Sequence, residues 1–273
     1  MQTKASGLKS LAIPAWQDLL QGFLKWDLWG RLGFLEVKRR YRRTIVGPFW
    51  SALTLGIFVA TMGTVGAGLW HQELATYVPY LTTGMLAWLL ISTMIIEACN
   101  LFIGGSHLFR QVRFDYSILA YALAWRNLIV FLHNLIIYIV IVLLFAPHLL
   151  RPNVLLIFPG LALVAVNGIW IALLLGMLCL RFRDVQQLVM SAMQIAMLVT
   201  PIFWSETMLE GTKQFIFVEL NPLFHFINIV RAPLIGKTPT FDNYFAVVGI
   251  TIVGWTATYV IFNRFRKRIA FWS

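Results

Sequence analysis

The sequence predicts an all-α membrane protein with six transmembrane helices, and three observations carry that fold class. The 273 residues are 59% hydrophobic and 12% charged, with a mean hydropathy of +0.77, whereas soluble domains carry about 25% charged residues. Apolar stretches close to the roughly 20 residues needed to cross a bilayer recur along the chain. Cationic residues gather at one set of their ends. The net charge of +11 would also suit a nucleic-acid binder. The basic residues flank apolar spans instead of forming a free face, so membrane lipids are expected to meet them and nucleic acid is not.

Residues 1–45 read as a cytosolic N-terminal segment without the apolar core of a cleavable leader. From Pro14 to Gly33, Trp16, Leu19, Leu20, Phe23, Leu24, Trp26, Leu28, Trp29 and Leu32 alternate with Asp18, Lys25, Asp27 and Arg31. That pattern is too charged to span. It fits an N-terminal amphipathic interface helix lying at headgroup depth, or a helix packed on a soluble partner, and both can hold at once. The stretch Val37 to Trp50 is the entry to the membrane. Lys38, Arg39, Arg40, Arg42 and Arg43 stop abruptly at Thr44, and an apolar run carries on to Trp70. Pro48 suits the first turn of the helix that follows, where its missing N–H is not needed.

The expected spans are 46–70, 78–103, 117–146, 153–180, 185–204 and 243–263, a permease domain over 46–263 followed by a basic cytosolic tail at 264–273. The segments 1–45, 104–116, 181–184 and 264–273 hold 17 Lys and Arg, against 4 in 71–77, 147–152 and 205–242. The bias places both termini in the cytoplasm, as an even number of spans requires. Ala52, Gly56, Ala60, Thr64 and Gly68 recur every fourth residue in the first span, and Gly168, Ala172 and Gly176 in the fourth. Such stripes let helices approach closely, within the chain or across a dimer. Cys99 and Cys179 lie in separate apolar runs and read as packed thiols.

Residues 104–116 read as a short cytosolic connection with amphipathic character, broken from the second span by Gly104-Gly105 and opened by Ser106 as a helix N-cap. Leu108 and Phe109 suit a peg for a soluble subunit or a dip into the interface. The long segment 205–242 carries two apolar runs too short to span, divided by Asn221-Pro222, which read as re-entrant external helices between spans five and six. Within the spans, Glu97 and Arg126 lie roughly 9–14 Å from the cytosolic ends of adjacent helices, within reach of an intramembrane ion pair. A proton relay through Glu97 and His133 is the alternative, favoured less because the set is sparse. No phosphate loop, H-E-x-x-H, G-x-S-x-G or metal-spaced cluster is present. The chain reads as a conduit that binds no cofactor or metal itself.

Four motifs in order resemble the type-2 ABC transporter permeases that export polysaccharides such as O-antigen, capsule and teichoic acid. They are Lys38-Arg-Arg-Tyr-Arg-Arg-Thr-Ile-Val-Gly-Pro-Phe-Trp50, Tyr80-Leu-Thr-Thr-Gly84 with Trp88, Arg181-Phe-Arg-Asp184 with Thr200-Pro-Ile-Phe203, and Asn221-Pro222-Leu223 with Arg231. One departure concerns the third span: the family commonly has a proline after the peg, where this chain has Asp115-Tyr116. The resemblance implies a homodimer working with two nucleotide-binding ATPase subunits, which hold ATP and Mg, in the bacterial cytoplasmic membrane. It implies that Gly105, Ser106, His107, Leu108, Phe109 and Arg110 form the coupling peg. Arg39, Arg40, Arg42 and Arg43 then either anchor the chain or meet the pyrophosphate of a lipid-linked polysaccharide, since guanidinium groups bind phosphate bidentately. Phe49, Trp50, Phe58, Phe203 and Trp204 are expected to offer flat faces to sugar rings in the channel. The rivals are a permease for a small lipid or drug, an integral-membrane glycolipid-modifying enzyme, and an ion-coupled transporter, for which no inverted repeat is evident.

Overall fold

A computed structural model describes residues 14–42, 44–47, 49–105, 115–209 and 211–272, and among these it contains helices and turns but no strand. Two helices open the chain, α1 (Ala15–Leu24) and α2 (Trp26–Arg40), where a single amphipathic helix over 14–33 is expected. Lys25 leaves helical geometry at φ −81°, ψ 45°, and the Trp29 indole closes the break by donating to the Phe23 carbonyl at 3.2 Å. The helix then runs on through Lys38, Arg39 and Arg40, which form its last turn, where cations complement the partial negative charge of the carbonyl end. Three of the five cations of the basic cluster thus belong to α2 and not to the entrance of the first span. Pro48 and Arg43 lie outside the described residues.

Among the described residues, five helical segments are long and apolar enough to cross a membrane. They are α3 (Phe49–Leu69), α4 (Leu74–Ala98), α6 (Ser117–Phe145), α7 (Ile157–Arg181, extended backwards by a 3-10 turn from Pro152) and α11 (Phe241–Phe265). The segment expected to span over 185–204 is α8 (Asp184–Val199), with 16 residues, or about 24 Å against a hydrocarbon core of about 30 Å. The backbone is extended at Thr200, as the residue before a proline prefers. Proline also ends α6: Ala146, before Pro147, sits at φ −151°. The second span begins four residues earlier than expected and breaks at Asn100, with the short α5 (Leu101–Gly104) following.

The core is α4, whose membrane-length window is 72% buried among α3, α6, α7, α8 and α10 (Pro222–Leu234). The external segment supplies α9 (Phe215–Glu219) and α10. Asn221 caps α10 by accepting from the Leu223 N–H at 3.0 Å, and Pro222 takes the first helical position. The small-residue stripe of α7 packs within the chain, Gly168 against Met94 and Gly176 against Phe102. That of α3 divides: Ala52 is buried and Gly56 faces Ile137, while Ala60, Thr64 and Gly68 are exposed.

Candidate functional site

Beside the C-terminal end of α4, three helices bring their charges together. Arg126, nine residues into α6, pairs with Glu36 of α2 and, at 2.7 Å, with Glu97 of α4. Glu97 also accepts from Arg40 and, at 2.9 Å, from the Asn127 amide. The sequence-expected pair of Glu97 and Arg126 is therefore two links of a chain, Glu36–Arg126–Glu97–Arg40. Burial lowers the proton affinity of Arg40, but Glu97 and Tyr41 more than offset it, so its pKa stands above the ordinary arginine value. The close approach behind this chain is made by Gly33: a Cβ there would stand 2.9 Å from the Ala122 carbonyl of α6. Spacing held the signal for Glu36, four residues before Arg40 and so on the same helix face.

The junction borders a cavity of about 800 Å³. Arg39, Arg40, Arg126, Glu36, Glu97 and Asn100 supply its polar lining, and Leu32, Leu35, Leu101, Leu119 and Leu123 its apolar lining. Gly105, buried, closes one side together with Gly104. Arg39 is exposed at the rim, and Arg42 is exposed in the turn after α2. Ser106, His107, Leu108, Phe109 and Arg110 lie outside the described residues. His133 stands apart from the junction: its Nδ1 is 2.7 Å from the Ile129 carbonyl and its ring meets Phe49 edge-on at 5.5 Å.

A second tie explains where α6 starts despite the absent proline. Asp18 of α1 is fully buried. Its carboxylate accepts from the Tyr116 and Ser117 backbone N–H groups at 3.1 and 3.0 Å, capping α6 from another helix. Arg266, in the basic tail, pairs with the same carboxylate at 2.7 Å. Lys25 reaches Asp115 at 2.5 Å. By its pattern in the sequence, Asp18 is one polar residue of an amphipathic face. In the structure, α1 instead turns apolar Trp16, Leu20 and Phe23 outward and Asp18 and Gly22 inward.

At the opposite end of α4, the remaining motifs meet around irregular backbone. The Pro201 carbonyl accepts from Arg231 Nη1 at 2.7 Å, the Phe203 carbonyl from the Tyr77 hydroxyl at 2.9 Å, and the Trp204 carbonyl from the Tyr80 hydroxyl at 3.1 Å. Arg231 is 1% exposed. It lies 4.4 Å over the Tyr80 ring, donates to Asn228 Oδ1 at 2.6 Å, and has Glu206 at 3.5 Å. Three side chains thus satisfy three carbonyls that helix geometry would have paired internally. Of the five aromatics expected along a channel, Phe58 and Phe203 are in contact, with ring centroids 6.0 Å apart, and Trp204 follows them in the chain. Phe49 and Trp50 lie at the other end of α3, 47% and 55% exposed.

Comparison with known proteins agrees with this architecture. No curated protein matches the sequence significantly. The model of the ABC-2 type transporter family matches residues 30–235, about three quarters of the chain, from within α2 through α10. The chain therefore belongs to the ABC-2 type transporter family, as a multi-pass membrane permease that forms the transmembrane component of an ABC transporter.

Proposed function

We propose that this chain is the permease half of an ATP-driven exporter carrying a lipid-linked polysaccharide across the bacterial cytoplasmic membrane, a homodimer served by two separate ATPase subunits. The observation that carries the reading is the convergence of Tyr80, Thr200–Trp204 and Arg231, motif residues scattered over 150 positions, beside the contact of Phe58 with Phe203. Aromatic faces bordering an exposed helix suit sugar rings.

In this reading α8 and the irregular Thr200–Trp204 make the sixth crossing together. Sixteen helical residues give about 24 Å, and the bent residues after them carry the chain on toward the outer face. Non-helical backbone at membrane depth is tolerated where protein satisfies it, and Arg231, Tyr77 and Tyr80 do so. Six crossings return both termini to the cytoplasm, with α1 laying Trp16, Leu20 and Phe23 in the interface and α9 and α10 dipping in from outside. The exposed Ala60, Thr64 and Gly68 of α3 suit contact with a second copy. ATP and Mg are held by the partner, which engages Gly105–Arg110.

The test is reconstitution of the full chain with its ATPase in vesicles loaded with lipid-linked glycan. Export is expected to require ATP, and Phe58→Ala with Phe203→Ala is expected to slow it about tenfold or more, as loss of two stacking faces implies. Transport by the chain alone without ATP would overturn the reading. Unchanged export by the double variant would remove the aromatic lining. ATP hydrolysis still stimulated by glycan after replacement of Leu108, Phe109 and Arg110 would remove the peg.

A further inference from the structure

We infer that the cavity between α2, α4, α5 and α6 is a binding site for the phosphate of a membrane phospholipid. Three observations converge on it. The first is its composition: five leucines line it together with three arginines and two glutamates, so a single cavity offers both hydrocarbon and ionic contact. Its volume of about 800 Å³ suits a headgroup with the first carbons of its chains.

The second is the charge balance. Glu36 and Glu97 carry two negative charges against three positive ones on Arg39, Arg40 and Arg126. Both glutamates are engaged within the chain Glu36–Arg126–Glu97–Arg40. One positive charge is left over, and a phosphodiester supplies one negative charge. Arg39, exposed at the rim, brings a guanidinium suited to bidentate contact with phosphate oxygens.

The third is an unfilled donor. Arg126 Nε is buried and has no acceptor among the described residues, although both Nη atoms are bonded to carboxylates. A buried N–H without a partner is disfavoured strongly enough that such groups are rare in folded proteins. A phosphate oxygen held between Arg39 and Arg126 would satisfy it. The inference needs only that the chain sits in a bilayer, so it stands or falls independently of the glycan reading.

The experiment is native mass spectrometry of the full chain in a nonionic detergent, titrated with dioleoylphosphatidylglycerol, with dioleoylglycerol, and with inorganic phosphate. Phosphatidylglycerol is expected to bind one per chain and dioleoylglycerol not to be retained. Arg39→Gln is expected to weaken phosphatidylglycerol about tenfold, the share of one charge-assisted hydrogen bond. Arg126→Lys, which keeps the charge but lacks Nε, is expected to weaken it comparably. The control is Arg31→Gln, which lies outside the cavity, pairs with Asp27 at the surface, and should leave binding unchanged. Equal retention of phosphatidylglycerol and dioleoylglycerol would overturn the inference, as would equal losses for Arg31→Gln and Arg39→Gln. Inorganic phosphate binding as tightly as the lipid would overturn the lipid assignment. Should Arg126→Lys fail to fold, Arg39→Gln at the exposed rim decides alone.

Discussion

Arg126→Met is the most informative single substitution, because it deletes the centre of the charge chain while keeping side-chain length. The side chains of Arg126, Glu36 and Glu97 are 14%, 24% and 19% exposed. Breaking a buried pair costs about 3–5 kcal/mol when one charge is left uncompensated. Here Glu97 keeps Arg40 and Asn127, so the loss falls mainly on Glu36, whose partial exposure moderates it. A destabilisation of about 2–3 kcal/mol follows. The assay is unfolding of the purified chain in mixed micelles, driven by a denaturing detergent and followed by tryptophan fluorescence. Adding Glu36→Gln to Arg126→Met neutralises the stranded carboxylate and should recover about 1–2 kcal/mol. Stability within about 0.5 kcal/mol of the parent for Arg126→Met would refute the reasoning. Strict additivity of the two substitutions would refute it as well.

Asp18→Asn should release α1 and the C-terminal tail from the start of α6. It weakens the cap on two backbone N–H groups and removes the charge that Arg266 meets, a loss of about 1–3 kcal/mol read by thermal unfolding and by faster proteolysis after Lys25. Arg231→Lys should fare little better than Arg231→Leu. An ammonium cannot donate to the Pro201 carbonyl and Asn228 while lying flat on Tyr80, so a loss of about 2–3 kcal/mol is expected for both in the same unfolding assay. Gly33→Val should push α2 off α6, since even a Cβ meets the Ala122 carbonyl. About 1–3 kcal/mol of destabilisation is expected, with slower glycan export if α2 transmits the partner's motion.

Five of the crossing helices were readable because lipid imposes a length and an apolar composition, and α6 shows it plainly: 29 residues without Gly or Pro, with the single cation Arg126, ended by Pro147 within one residue of the expected limit. The boundaries that moved did so where side chains from elsewhere decide them. Nothing near Ser117 in sequence reveals that Asp18, 99 positions away, caps that helix. The break at Lys25 was equally hidden, because it depends on α1 and α2 packing at different places on α6. The ion pair of Glu97 with Arg126 was legible from depth alone, since buried charges in lipid must find each other. Its extension to Glu36 rests on spacing alone, since Glu36 lies outside the apolar spans and only the packing of α2 on α6 brings it to Arg126. Tyr80 and Arg231 were visible as motif letters, but their task of satisfying carbonyls exists only once Thr200–Trp204 leaves helical geometry.

The two charged regions lie at opposite ends of one helix. Glu97 and Tyr77 are twenty residues apart on α4, a separation of about 30 Å. With most of its surface buried and both ends bonded, α4 is the element least free to move. The elements beside it differ: α3 has a third of its window buried, and α8 buries only Met193. The contact of Phe58 with Phe203 joins α3 to the chain that follows α8. It is made of dispersion and ring electrostatics alone, worth about 0.5–1.5 kcal/mol beyond its area, while the ties to α4 at its two ends are ionic or hydrogen-bonded. A displacement that parts α3 from the chain after α8 breaks a contact without hydrogen bonds or charges and leaves the bonded ends of α4 intact. On the proposed reading, that parting opens the path, and the work delivered by the ATPase need not deform α4 at all.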